Sequence, residues 1–350
     1  MRIAQIAPLA EAVPPILYGG TERVVSWLTE ELVAQGHDVT LFASGDSKTS
    51  ATLVAPIKEA LRLDPAVRDF APYHYVMLDR VFQRAHEFDV LHFHFDMMHF
   101  PLFRQMPERV LTTLHGRLDL PDLWPFYRAF AQMPLISISD SQRKPMPPVN
   151  WMSTIYHGLP RDLHRLNREP EGYFAFLGRI SPEKGPEHAI EIAKRLGVPL
   201  KIAAKVDNVD RAYFAQRVEP LLDHPLIEFV GEIDESRKTA FLGNARALLF
   251  PINWPEPFGL VMIEAMACGT PVIAYRHGSV PEVLDNGVTG FVVNDLEDAV
   301  TAAGWIPTLD RARVRHVFET RFTAERMARD YSAVYASLLA GAGRASIAAA

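Results

Sequence analysis

At 350 residues the chain is longer than a single core of usual size, so two domains are the first expectation. Hydrophobic residues at 48%, charged residues at 22% and aromatics at 10% exclude disordered, fibrous and low-complexity classes. A formal charge of −6 argues against a protein that wraps bulk nucleic acid or lies on anionic lipid, and it leaves room for a local basic pocket.

The first elements alternate. A short apolar strand (Ile3 to Ala7) is followed by the loop Tyr18-Gly19-Gly20-Thr21, a helix and a second strand (Val39 to Ala43). Within the helix Val24, Trp27, Leu28 and Leu32 recur at three and four, and Gly36 sits where a left-handed glycine ends it. Right-handed crossover makes the two strands parallel. Further strands are predicted at Val90 to Phe95, Val110 to Leu114 and Leu135 to Ser139. Residues 161–171 are polar and suit an interdomain linker, which puts the boundary near 160–170. A second alternation follows. Its strands are Tyr173 to Leu177, Leu200 to Ala204, Ile227 to Val230, Ala247 to Phe250 and Pro271 to Ala274. Its helices are Glu187 to Leu196, Ala212 to Leu222, Glu235 to Asn244 and 260–268. A terminal helix runs from Thr323 to Leu339, with an Ala/Gly-rich tail from Gly341 expected to fray. The fold class is therefore α/β, two doubly wound parallel-sheet domains over 1–160 and 161–328, with a C-terminal helix in 329–350 expected to cross back to the first. Such sheets bind ligands beyond the carboxyl ends of their strands.

No stretch approaches the roughly 20 apolar residues of a membrane-spanning helix, and the N-terminal residues lack the pattern of a signal peptide. Cys268 is the single cysteine and cannot form an intramolecular disulfide, so the expected location is cytoplasmic and the thiol a small core residue.

Four segments carry candidate chemistry. The run from Pro255 to Ala274 places Glu256 and Glu264 eight residues apart, around a Pro-Phe-Gly turn that opens a helix. The N–H groups of Phe258, Gly259 and Leu260 at such a terminus attract an anion, and carboxylates beside it accept hydroxyl groups. A diphosphate and a polyol in one site suggest a sugar nucleotide. The bland alternative is that Glu256 caps the helix and Glu264 is solvated, yet Glu264 lies among Val261, Met262, Ile263, Ala265 and Met266, where an idle carboxylate is costly. The second segment, Phe176 to Gly185, brings Arg179 and Lys184 off a strand end, with Gly178 and Gly185 allowing a close turn, so that both cations can aim at one anion. The third, Gly19 and Gly20, fits neither a dinucleotide fingerprint nor a Walker loop, and by itself is a glycine pair before a helix. The fourth is the histidines, eight of thirteen of which precede residue 160. His92 and His94 share a strand face, but no carboxylate or thiolate set at ligand spacing accompanies them, and polar residues lining a cleft explain them better than a metal. Position alone leaves His115, directly after a strand and before Gly116, open between a structural and a functional histidine.

In these segments the chain resembles family 4 of the retaining, nucleotide-sugar-dependent glycosyltransferases, whose GT-B fold consists of two facing Rossmann-like domains across a cleft. The resemblance covers nearly the full length. It implies that Arg179 and Lys184 neutralise the donor diphosphate, that Glu264 holds the ribose hydroxyls, and that Glu256 with the backbone of Phe258, Gly259 and Leu260 contacts the transferred sugar and distal phosphate. His115 would reach the sugar near C6, Gly20 would lie beside the phosphates, and the loop at Val230 and Gly231 would hold the base through backbone groups. It further implies a hexosyl transfer by same-face substitution without a metal or resident cofactor, from a nucleotide diphosphate sugar, UDP favoured over GDP or ADP, to a hydroxyl acceptor.

Residues 1–160 carry 14 Lys+Arg against 17 Asp+Glu, a net of −3, with no basic helix face. That favours a soluble acceptor, or at most weak membrane contact; no nucleic acid partner is expected. Two other readings stand beside transfer. One is another GT-B enzyme, such as a sugar-nucleotide epimerase or a phosphorylase; the other is a non-catalytic nucleotide-sugar-binding protein.

Overall fold

The computed structural model describes residues 1–17 and 19–348, the last seven by backbone alone, so the expected fraying from Gly341 falls almost entirely outside the fully described residues. The chain divides into two compact units, Met1–Gly158 with Ala324–Ala350, and Leu159–Thr323.

The first unit holds seven parallel strands: β1 (Arg2–Ile6), β2 (Asp38–Phe42), β3 (Thr52–Val54), β4 (Val90–Phe93), β5 (Val110–Thr113), β6 (Leu135–Ser137) and β7 (Trp151–Thr154). Their order is β3-β2-β1-β4-β5-β6-β7. The second holds six: β8 (Phe174–Arg179), β9 (Leu200–Lys205), β10 (Ile227–Gly231), β11 (Ala247–Phe250), β12 (Val272–Tyr275) and β13 (Gly290–Val293), in the order β10-β9-β8-β11-β12-β13. The order reverses between β1 and β4 in one sheet and between β8 and β11 in the other. Helices that cross on opposite faces must part there, and a crevice opens past the carboxyl ends.

Central strands are buried along nearly their whole length and read as continuous apolar runs, as covered parallel strands must. The strands without a clear signal are edges. β3, β7 and β13 are short and half-exposed, and nothing forces a continuous apolar run on them. Helix Gly20–Ala34 turns Val24, Val25, Leu28 and Leu32 inward, and Gly36, at φ +84°, ends it as the sequence predicts. The continuous helix expected from Ala212 to Leu222 is instead broken into Arg211–Tyr213, a wide turn over Phe214–Val218 and a tight one over Glu219–Leu221. Pro220 lacks the N–H that a regular continuation needs.

Helix Ala324–Ala348 belongs to the first unit, so the division falls at Ala324, before the 329 drawn from sequence. The polar stretch 161–171 is tied to the second unit. The Arg311 guanidinium, buried, donates to the carbonyls of Asn167 (2.6 Å), Ala245 (3.0 Å) and Gly243 (2.7 Å) and to Thr270 Oγ1 (2.6 Å). Arg315 donates to the carbonyls of His164 (2.8 Å) and Arg161 (2.6 Å).

Because Arg311 satisfies four acceptors at once, three of them in buried bonds, Arg311→Ala should lower unfolding stability by about 3 kcal/mol or more. Urea unfolding followed by tryptophan fluorescence would show it, and an unchanged midpoint would refute the anchoring role.

Candidate functional site

In the second unit the site is built where β8 and β11 part. The loop after β8 carries Lys184 and turns through Gly185 at φ +62°; a Cβ there would lie 2.3 Å from the Pro251 carbonyl oxygen. The Asn253 N–H donates to the Glu183 carbonyl at 2.8 Å. The two loops are thus knit by backbone, and only glycine fits the seam. The loop after β12 joins them: Gly278 rests on the Glu256 backbone, where a Cβ would come within 2.3 Å, and the Ser279 N–H donates to the Glu256 carbonyl at 3.0 Å.

This framework brings Lys184 and Glu256 together as a mostly buried ion pair, Nζ against Oε2. Trp254 Nε1 donates to the same oxygen at 2.8 Å, and the ammonium lies 5.2 Å from the Trp254 ring and 5.8 Å from that of Phe250. Glu256 Oε1 has no partner among the described residues, and Lys184 has donors to spare. Helix Leu260–Ala267 starts at Gly259 in the left-handed region, φ +80°, where a Cβ would meet Met262 Cε at 2.8 Å. Phe258, one of the expected backbone donors, has its side chain buried in the core, and its carbonyl accepts from Ser279 Oγ at 2.8 Å.

Glu264 is buried, as the apolar neighbours in its helix require, but it is not idle: Lys238 Nζ binds it at 2.6 Å. That lysine, on helix Glu235–Gly243, gave no motif in the sequence. With Glu235 and His164, Glu264 forms a trio whose ligand atoms lie within 4.8 Å of one another, a geometry that suits a cation. The Lys238 ammonium, 3.3 Å from Glu235, already supplies positive charge there.

Arg179 ends β8 as predicted, but its recorded partners are carboxylates and not the group that holds Lys184. They are Glu183 at 3.1 Å, Asp210 at 3.6 Å and Asp207 at 3.9 Å. Asp207 and Asp210 were missed, since isolated acidic residues in a loop carry no signal. Gly178, also in β8, has open space where its Cβ would be. Val230 and Gly231 finish the edge strand β10 at a bulge, with Gly231 at φ +78°. A cavity of about 580 Å³, lined by Arg168, Arg246 and Arg311 among others, lies at the amino ends of β8, β11 and β12, away from this chemistry. Cys268 is buried, and burial pushes its thiol up to about 12.

In the first unit Gly19, at φ +155°, abuts Pro15, where a Cβ would meet Cγ at 2.8 Å, and Gly20 begins the helix. The buried Glu22 carboxyl shares that first turn, and burial raises its pKa. His92 and His94 do not line open space, as sequence suggests, but are buried at 0% and 2% exposure. His92 bonds to Tyr335 OH and Thr113 Oγ1, both at 2.8 Å. His94 bonds to Gln5 Oε1 at 2.6 Å and to His115 Nε2 at 3.0 Å. His115 also stacks on His157, 5.3 Å between ring centres. Burial holds the imidazoles of His92, His94, His99 and His157 well below their usual pKa and lowers that of His115 to about 3. All five are therefore neutral at pH 7.

With this geometry in place the comparisons with known proteins are decisive for the family. Residues 18–143 match the family model described as Glycosyltransferase Family 4, and residues 163–310 match Glycosyl transferases group 1. The chain belongs to the family 4 glycosyltransferases. The N-acetyl-alpha-D-glucosaminyl L-malate synthase of Bacillus anthracis is 25% identical to this chain over 366 residues, covering 92% of this chain and 94% of that one. A glycogen synthase of Mycobacterium tuberculosis is 33% identical over 159 residues, 44% of this chain and 36% of that protein, so the match spans little more than a third of the relative's length. Among solved structures, AviGT4, a glycosyltransferase involved in Avilamycin A biosynthesis, aligns with a TM-score of 0.72 at 22% identity, covering 97% of this chain and 98% of that one. Anabaena HepE in complex with UDP and glucose aligns with a TM-score of 0.71 at 16% identity, covering 96% and 100%. The fold of the chain is GT-B.

The buried neutral histidines set a pH dependence. Their folded pKa values lie below the unfolded value near 6.5, so the unfolded chain binds more protons in acid; stability is complete above about pH 6.5 and is lost below it, by about 1.4 kcal/mol per pH unit for each histidine. The buried Glu22 carboxyl, raised by burial, opposes this as pH falls toward the unfolded carboxyl value of about 4. Thermal unfolding of the first unit should therefore drop steeply between pH 7 and pH 5, and a flat profile would contradict the buried neutral state.

Proposed function

We propose that this glycosyltransferase moves a hexosyl group from a nucleotide diphosphate sugar, a UDP-sugar foremost and a GDP-sugar second, to a hydroxyl of a soluble acceptor with retention at the anomeric carbon. The observation that carries the reading is the Lys184–Glu256 pair held by backbone at the switch between β8 and β11, beside a helix N-terminus. A cation with donors to spare next to a carboxylate with a spare oxygen fits a ligand that presents phosphate and hydroxyls together. The likeness to AviGT4, a glycosyltransferase, and to HepE in complex with UDP and glucose supports the substrate class.

In this reading Lys184 and Arg179 take charge from the diphosphate, Glu264 accepts from the ribose, and Glu256 with the Gly259 and Leu260 backbone meets the sugar and distal phosphate. Gly20 lies beside the phosphates, the Val230–Gly231 backbone takes the base, and His115 reaches the sugar near C6. The bond from the anomeric carbon to the diphosphate oxygen breaks, and charge growing on the leaving oxygen is stabilised by Lys184, Arg179 and the helix N–H groups. The acceptor oxygen bonds to the same face of that carbon, and its proton passes to the leaving phosphate. The protein's cations supply the charge stabilisation, with no metal.

Lys184→Ala and Glu264→Ala should fold, by circular dichroism, yet lower transfer by about 10²-fold or more, assayed as release of free nucleoside diphosphate. Full activity in both with a proven donor would refute the assignment. Turnover without that release would favour an epimerase, and a requirement for inorganic phosphate a phosphorylase. Saturable donor binding without turnover would leave a binding protein.

A further inference from the structure

The histidine cluster of the first unit is ordered beyond what burial requires. Gln5 lies on β1 opposite His92 of β4 and is fully buried. Its side-chain oxygen faces His94 Nε2 at 2.6 Å. A carbonyl oxygen only accepts, so His94 carries its proton on Nε2. His94 is neutral, which leaves its Nδ1 bare. The nitrogen facing that lone pair, His115 Nε2 at 3.0 Å, must therefore donate. His115 is neutral too, so its Nδ1 is a bare acceptor. That atom is buried and has no hydrogen-bond partner among the described residues.

The direction is set from the other side of Gln5. Its amide Nε2 donates to Tyr335 OH at 3.1 Å, Tyr335 donates to His92 Nδ1 at 2.8 Å, His92 Nε2 donates to Thr113 Oγ1 at 2.8 Å, and Thr113 donates to Tyr331 OH at 2.8 Å. Reversing Gln5 reverses every proton in the run and puts an N–H on His115 Nδ1 with nothing to receive it. A buried orphan N–H is the rarer and costlier defect.

We infer that Gln5 and His94 are positioning residues that lock His115 in its Nε2–H tautomer, so that Nδ1 meets the transferred sugar as an obligate acceptor and selects donors that offer a hydroxyl at that point. The inference rests on the proposed contact between His115 and the sugar near C6. A hexosyl donor with a free hydroxymethyl group satisfies Nδ1. A 6-deoxy or 6-fluoro sugar leaves it unpaired, and the carboxylate of a uronosyl donor presents lone pairs to a lone pair.

Two measurements on the full chain test this. Long-range proton–nitrogen correlation spectra with labelled histidine should show His115 as the Nε2–H tautomer, unchanged from pH 8 to pH 6; an Nδ1 proton overturns the lock. With UDP-glucose, its 6-deoxy and 6-fluoro analogues and UDP-glucuronate, and with the matching GDP-mannose series, kcat/KM should fall at least about tenfold for each altered sugar. Equal use overturns the selection. His94→Phe should weaken transfer from the hydroxymethyl donor and shrink the discrimination against the 6-deoxy donor by a similar factor, whereas a merely structural defect lowers both equally. Gln5→Met serves the same purpose if His94→Phe does not fold. The spectra need no donor: the expected tautomer without turnover of any sugar nucleotide would overturn the glycosyl transfer and the selection with it, and turnover without discrimination would overturn the selection alone.

Discussion

The second unit depends on one constraint, the parting of crossovers between β8 and β11. A parallel sheet with helices on both faces must reverse its winding somewhere, and at that place two neighbouring strands send their chains to opposite faces. Here the gap is closed over by backbone, with Gly185 against Pro251 and Gly278 against Glu256. The side chains that emerge, Lys184 and Glu256, inherit their position from main chain, which is stiffer than any side-chain scaffold. A substituent at either glycine would have to displace a peptide group.

The two units handle buried polarity in opposite ways. The second gathers opposite charges and matches them: Lys184 with Glu256, Lys238 with Glu264 and Glu235, Arg179 with three carboxylates. Burying such groups costs several kcal/mol each unless paired, so the pairing contributes to stability as well as to ligand chemistry. The first unit gathers neutral imidazoles and hydroxyls and links several of them in a hydrogen-bonded chain, from Gln5 through Tyr335, His92 and Thr113. Helix Ala324–Ala348 takes part in this order through Tyr331 and Tyr335, which gives the end of the described chain a share in the polar core of its beginning.

Much of the frame was legible because central strands of covered sheets must be apolar throughout. Ala247–Phe250 coincides with its predicted bounds, and the other central strands differ by one or two residues. The edges β3, β7 and β13 were not, since an edge pairs on one side only and tolerates polar residues. Of the site, Lys184, Glu256 and Glu264 stood out because charge in a glycine-rich turn or an apolar helix is expensive unless used. Lys238, Asp207, Asp210 and Gln5 carried no such mark. Each is an ordinary residue of its element until the fold sets it against its partner.

Sequence by itself determined that this is an α/β chain of two doubly wound halves with a cation, a carboxylate and a helix start near strand ends in the second. Those follow from local periodicity and from the cost of placing charge among apolar neighbours. Only the tertiary structure decided which charges pair, with Arg179 turned to carboxylates and Lys184 to Glu256, and which imidazole nitrogen bears its proton. Partners such as Gln5 and Tyr335 stand 330 residues apart in the chain, and a hydrogen bond is set by distance in space, on which local sequence has no hold.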